Sequence, residues 1–186
     1  MENVRFQSHE QVREQAEEAF REHHGRLSAL LPYADIQHVG GTAIPGARTK
    51  GDLDIQVRVP PERFAEAEAV LAGHYARNEK SDRTPAFASF QDETLPVPLG
   101  IQLTAMGGSH DFFSRARDLL LAEPERVAEY DALKARWEGR PMEAYREEKA
   151  AFFEKLLGGT QTDGGTQQVP PPAGDAGSLA NPPGSR

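Results

Sequence analysis

The run Leu53-Asp54-Ile55-Gln56-Val57-Arg58-Val59, with Asp52 just before it, constrains this chain more than any other segment. Large apolar residues alternate with polar ones over seven positions, a period of two that belongs to an extended strand with one apolar face. Asp52, Asp54, Gln56 and Arg58 then share the other face. Pro60-Pro61 ends the strand and opens a helix in which Phe64, Ala67, Val70 and Leu71 lie together, closing near Gly73. The expected unit is a strand followed by a crossover helix that covers the sheet.

Two carboxylates one residue apart repel unless a cation sits with them. A divalent ion is the simplest remedy, and hard oxygen ligands suit Mg or Mn, whose shell is completed by water and substrate phosphates. Spacing alone leaves a second reading open: an alternating strand whose polar face is simply wet. Gly40 and Gly41 bear on the choice. They follow Ile36-Gln37-His38-Val39, an expected neighbouring strand, ten or so residues before Asp52. Backbone at a glycine pair can approach a ligand and turn its N–H groups toward anionic oxygens. Thr42 adds a hydroxyl, and Thr42 to Ile44 predicts a short helical turn whose amino end favours phosphate. Glycine pairs and Pro45-Gly46 are also ordinary turn chemistry.

Val39-Gly40-Gly41 followed by Asp52-Leu53-Asp54-Ile55 resembles the nucleotidyltransferase pattern of hydrophobic-Gly-Gly/Ser, a spacer, then Asp-hydrophobic-Asp/Glu. More closely, HVGGTAIPG is similar to the HVGSTAVPG signature of the GrpB family, with Gly41 where that family usually has Ser. Arg117-Asp118-Leu119-Leu120, Pro124, Tyr130, Leu133-Lys134, Tyr145, Lys149 and Phe152 follow in the order of that family's helical half. The likeness spans most of residues 30 to 157. It implies an α+β, nucleotidyltransferase-like fold: a small mixed β-sheet with flanking helices and a C-terminal helical half.

The activity it implies is metal-dependent transfer of a nucleotidyl group from a nucleoside triphosphate to an unknown acceptor. Asp52 and Asp54 would hold the metal, and Gly40, Gly41 and Thr42 the phosphates. His38 would assist beside them, although a strand histidine satisfied by backbone is its ordinary role. Active members of the wider superfamily carry a third carboxylate on a later strand. The candidate strand here, Leu99 to Ala105, has none, only Gln102 and Thr104 on its polar face. That gap keeps the alternative of a catalytically inactive nucleotide- or phosphometabolite-binding module, or an interaction protein.

Three cations are candidates for phosphate. Lys149 lies four residues after Tyr145 and near Phe152 and Phe153, on the face its helix buries, so it must snorkel or find an anion. It matches the lysine of the resembled pattern, and with Arg117 is expected to face the phosphates or else to pair with Glu148, Asp118 or another acid. Lys50, two residues before Asp52, has the plainer alternative of a solvated loop lysine.

A chain of 186 residues with 38% hydrophobic content supports one real core. It has no cysteine, which excludes disulfides, zinc-thiolate sites and thiol nucleophiles. The N-terminus is polar and no apolar run approaches the roughly 20 residues of a membrane span, so a cytoplasmic protein with no membrane partner is expected. A net charge of −8 disfavours broad nucleic-acid binding, which rests on basic side chains.

Ser8, with Gln11 three residues later, predicts the start of a first helix running to Leu31, with Val12, Ala16, Phe20, Leu27 and Leu30 as its apolar stripe. His23 and His24 are expected on its solvated surface. Strands are expected near 85–91 and 97–106, joined by a turn containing Asp92 and Glu93. Helices are expected at 109–122, 124–139 and 141–157, with Tyr130, Leu133 and Trp137 as core. The domain is expected to end at residue 158. Residues 159–186 hold 11 Gly or Pro and no aromatic residue, and are expected to form a disordered tail.

Overall fold

The structure is a computed structural model that describes residues 3–158; the segment 159–186, read above as a tail, lies outside them. Ser8 precedes helix α1 (His9–Leu30), and its backbone N–H donates to Gln11 Oε1 at 2.9 Å, the reciprocal cap foreseen from the sequence. The two-residue strand β1 (Gln7–Ser8) pairs antiparallel with β3 (Arg48–Thr49).

The main sheet contains β2 (Asp35–Val39), β4 (Leu53–Val59), β5 (Ala76–Arg77), β6 (Phe87–Asp92) and β7 (Leu99–Ala105). Its strand order is β2-β4-β7-β6-β5. Only the β4–β7 pair is parallel. A parallel neighbour demands a crossover, and α2 (Phe64–Ala72), entered through a tight turn at Pro61–Arg63, lies within it.

Alternation along β4 assigns the two faces. Leu53, Ile55, Val57 and Val59 are each 0% exposed and pack with Leu27 of α1 and Leu31 just after it, with Phe64 and Leu71 of α2, and with Ile101 of β7 and Phe90 of β6. The opposite face carries Asp54, Gln56 and Arg58, and is roofed by α3 (Phe113–Ala122), α4 (Pro124–Trp137) and α5 (Met142–Gly158). Tyr130 stacks on Phe152 at 5.0 Å in the second core, which also contains Leu133; Trp137 packs partly buried against it.

Two expectations change. α3 begins at Phe113 rather than near Ser109. Gly107 takes a positive φ of 77°, and the Asp111 carboxylate is drawn to Arg58 and to the Gly107 amide, so the segment before Phe113 turns instead of coiling. His23 is buried at 8%, with its ring 6.4 Å from Tyr75, because α1 lies flat on the sheet along that side; His24 is exposed as expected. No helix among the described residues is long and apolar enough to cross a membrane.

Candidate functional site

The glycine pair leaves the end of β2 and enters a single helical turn, Gly41–Ala43, with Gly40 at φ 77°. In the antiparallel β2–β4 pair Val39 stands opposite Asp54, so Gly40 lies over the Asp54 side chain. A Cβ on Gly40 would stand 3.0 Å from both Cβ and Cγ of Asp54, and closer still to Oδ2. Asp54 is 2% exposed, which makes glycine at position 40 the condition for a carboxylate beneath the turn. Gly41 is equally confined: a Cβ there would lie 3.0 Å from Thr49 Oγ1, an atom that already accepts a hydrogen bond from the Gly51 amide at 3.1 Å.

Thr42 locks the turn to the strand that follows. Its hydroxyl donates to the Asp52 carbonyl at 3.1 Å. Having spent its proton, that oxygen accepts from His38 Nε2 at 3.0 Å, so His38 carries its proton on Nε2. The Thr42 carbonyl accepts from His9 Nε2 at 3.2 Å, a buried contact that no sequence pattern marked.

His38 does not sit beside Asp54. It pairs with Ile55 across β2–β4, on the α1 face, where its ring stacks on Phe20 at 4.9 Å. Burial, and then the positive charge of Arg117 and the proximity of His9, lower its pKa to about 4, so the ring is neutral at pH 7. Its role here is to position Thr42 rather than to face a ligand above Asp54. Strand alternation is the reason, since adjacent positions point to opposite faces.

Lys50 and Asp52 also differ from expectation. Asp52 immediately precedes β4, and its Oδ2 lies 3.3 Å from Lys50 Nζ, both side chains being mostly shielded. The acidic pair therefore has a basic partner. Arg117 donates to Gln37 Oε1 at 3.0 Å and to the His38 carbonyl at 2.8 Å, while Asp118 accepts its remaining edge. Glu148 bonds Arg136 and the Trp137 indole. Glu148 and Asp118, two of the acids expected as alternatives to phosphate for Lys149, therefore have these other partners, and the expectation of another acid beside Lys149 stands.

Gly40, Gly41, Arg117 and Lys149, all expected from the sequence to face phosphate, line one narrow pocket together with Tyr130 and apolar side chains such as Ile44 and Phe113. Lys149 is 4% exposed. The Asp54 carboxylate lies directly beneath Gly40 at the edge of this pocket, and Asp118 pairs with Arg117.

Beside Asp54 on the other flank, the directly paired residue of β7 is Gly100, and the next residue on that face is Gln102. No acid occupies the strand. Asp111, which the sequence did not bring forward, is a second shielded carboxylate of this face, its side chain 5% exposed, but it is committed. Arg58 grips it with Nε at 2.6 Å and Nη2 at 2.8 Å, and Gln56 Nε2 reaches it at 3.0 Å. Burial alone would raise its pKa; these bonds and the Gly107 amide outweigh that and leave it lowered. Gln56 in turn accepts from the Ser114 amide at 2.9 Å, tying the start of α3 to β4. Among the described residues no group of three or more His, Cys, Asp or Glu is arranged to hold a metal ion.

Comparison with known proteins agrees with this architecture. A UPF0157 protein of Vibrio cholerae is 36% identical over 158 residues, covering 84% of this chain and 83% of that protein. The crystal structure of a conserved GrpB protein from Enterococcus faecalis superposes with a TM-score of 0.63 at 17% identity, covering 77% of this chain and 91% of the other, a likeness of fold. The family model described as GrpB protein matches residues 10–158. The sheet, the helical half and the glycine turn over Asp54 are therefore those of a chain that belongs to the GrpB family.

Proposed function

We propose that this protein binds the phosphate end of a nucleotide or phosphorylated metabolite at the Gly40-Gly41 turn. One observation carries the reading: two glycines with close backbone approach and two cations, Arg117 and Lys149, meet in one pocket. Glycine backbone amides and a desolvated ammonium are the groups that recognise phosphate oxygens. The pocket offers only about 30 Å3 of water-sized space, so it receives one end of a ligand, and the remainder lies outside it.

A second reading, nucleotidyl transfer, is favoured by the packing of Gly40 on Asp54. Asp52 and Asp54 are hard oxygen donors of the kind magnesium or manganese takes, with phosphate oxygens completing the shell. Asp52 and Asp54 would hold such an ion between them, the ion taking the place of Lys50 against Asp52. When bound, it would neutralise charge on the phosphates. In the reaction the acceptor hydroxyl oxygen bonds to the α phosphorus, the α–β bridging P–O bond breaks, pyrophosphate departs, and the hydroxyl proton passes to solvent. Arg117 and Lys149 would hold the departing phosphates.

The test incubates each labelled nucleoside triphosphate with the protein and Mg or Mn, measuring binding and pyrophosphate release. Loss of binding in Lys149→Met, with binding kept in Asp52→Ala, supports the binding module. Pyrophosphate release abolished by Asp52→Ala and Asp54→Ala supports transfer. Wild-type protein that binds none of the triphosphates removes both readings.

A further inference from the structure

The pocket at the glycine turn is the narrow end of a longer trough. One wall is the turn that leaves β2, running Gly40, Gly41, Ile44, Pro45 and Gly46. Arg117, Leu120 and Leu121 of α3, continued by Pro124 at the start of α4, form the other. Both walls advance in sequence order from the narrow end, with Gly40 and Arg117, to a wider groove of about 440 Å3 at Gly46 and Pro124. Ile44 and Leu120 line both spaces, so the two adjoin there. Arg117 and Leu121 are four residues apart on one helix, which sets their Cβ atoms roughly 6 Å apart on the same flank.

The groove differs in chemistry from the pocket it continues. Its side chains are hydrocarbon except for Asp131, and that carboxylate accepts from the Arg48 amide at 2.9 Å and from Lys134 Nζ at 3.3 Å. Leu121, on its rim, is 47% exposed, the one large hydrophobic residue so placed among the described residues. A ribose and base would bring donors and acceptors against side chains that cannot pair them, a cost in desolvation. A hydrocarbon chain brings none, and each methylene it buries strengthens binding. A single exposed leucine also suits a lone chain better than a bilayer, since docking on a membrane takes an apolar face of many residues.

Resting on the phosphate reading above, we propose that the ligand is the phosphate ester of a single-chain aliphatic alcohol taken from solution. Its phosphate lies at Gly40, Gly41, Arg117 and Lys149, and its chain runs past Ile44 and Leu120 into the groove at Leu121.

Methyl, butyl and octyl phosphate, octanol and each nucleoside triphosphate are titrated into the full chain below micelle-forming concentrations and followed by protein NMR shifts. Vesicles of phosphatidic acid form a separate arm. Affinity is expected to rise about two- to fourfold for each methylene from butyl to octyl phosphate, and octyl phosphate to bind about tenfold tighter than octanol or any nucleotide. Ala128→Glu sets a charge in the groove at an exposed helix position, and is expected to abolish the chain-length gain while methyl phosphate binds as in wild type. Leu121→Asn, also at an exposed position, is expected to weaken octyl phosphate alone. Lys149→Met is expected to lose every phosphate ester. Butyl and octyl phosphate that bind alike, or a nucleotide that binds more tightly than either, would overturn the aliphatic class and leave phosphate recognition at the glycine turn standing. If no phosphate compound binds, both readings fall. Octanol as tight as octyl phosphate would make the groove a separate apolar site, and binding confined to vesicles would make it a membrane contact; either result overturns the proposal, as does octyl phosphate unaffected by Ala128→Glu.

Discussion

Alanine at position 40 separates backbone strain from steric overlap in a way this fold makes measurable. Gly40 and Gly46 share a φ of 77°, but a Cβ on Gly46 meets nothing within 4 Å, whereas one on Gly40 meets the buried Asp54 side chain. Gly46→Ala should therefore cost only the left-handed backbone penalty, roughly 1 kcal/mol. Gly40→Ala should cost that plus an overpacking penalty of about 1–3 kcal/mol, giving roughly 2–4 kcal/mol in total. At this chain length each kcal/mol lowers the melting temperature by about 2–4 °C. Urea unfolding followed by circular dichroism and by emission of Trp137, the single tryptophan, supplies the free energies. The cycle is closed with Asp54→Ala and the double variant. Truncating Asp54 to alanine removes Oδ2 and Cγ but keeps the Cβ that would stand 3.0 Å from a Cβ at 40, so the double variant should recover part of the overpacking penalty as coupling. Equal costs for Gly40→Ala and Gly46→Ala, or a coupling near zero, would show that the turn does not press on Asp54 and would remove the geometric basis of the candidate site.

Removing Arg58 strands the Asp111 carboxylate, whose side chain is 5% exposed. Because Arg58 itself is 29% exposed, Arg58→Ala should cost about 2–4 kcal/mol, below the range for a fully buried pair, and Arg58→Met with Asp111→Leu should regain most of it in urea titrations. His38, with a folded pKa of about 4 against an ordinary histidine value of 6.5, stays neutral in the folded chain while the unfolded chain takes up a proton. Stability should thus fall as pH drops from about 6.5 to about 4, by at most about 3 kcal/mol, and be level below that. His38→Asn should flatten that part of the profile; an unchanged slope would contradict the neutral, buried ring. Thr42→Val deletes the donor to the Asp52 carbonyl and the acceptor for His38, and should cost about 1–3 kcal/mol by thermal melting. A melting curve matching wild type would refute the lock between turn and strand.

Much of this molecule was legible in its residues for local reasons. Alternation from Leu53 to Val59 gave β4 its buried face, the Ser8–Gln11 pair marked the start of α1, and Pro124 and Pro141 bounded α4 and α5. The glycine pair was expected to make room for a ligand; the close approach it makes in the structure is to the Asp54 side chain, set by the β2–β4 register. Local pattern failed where distant segments meet. The α3 start was set too early because Asp111 is claimed by Arg58, 53 residues away. His23 was placed in solvent because its partner Tyr75 lies on another element.

The sequence by itself determined the elements, the apolar faces and the family, because these depend on periodicity and on contiguous motifs. Tertiary structure alone decided that His38 turns away from Asp54 and that Lys50 neutralises Asp52. It alone brought Arg117 and Lys149 to the glycine turn. The physical reason is that strand register and helix packing bring together residues separated by tens of positions, and the charge and hydrogen bonding of a site depend on those meetings.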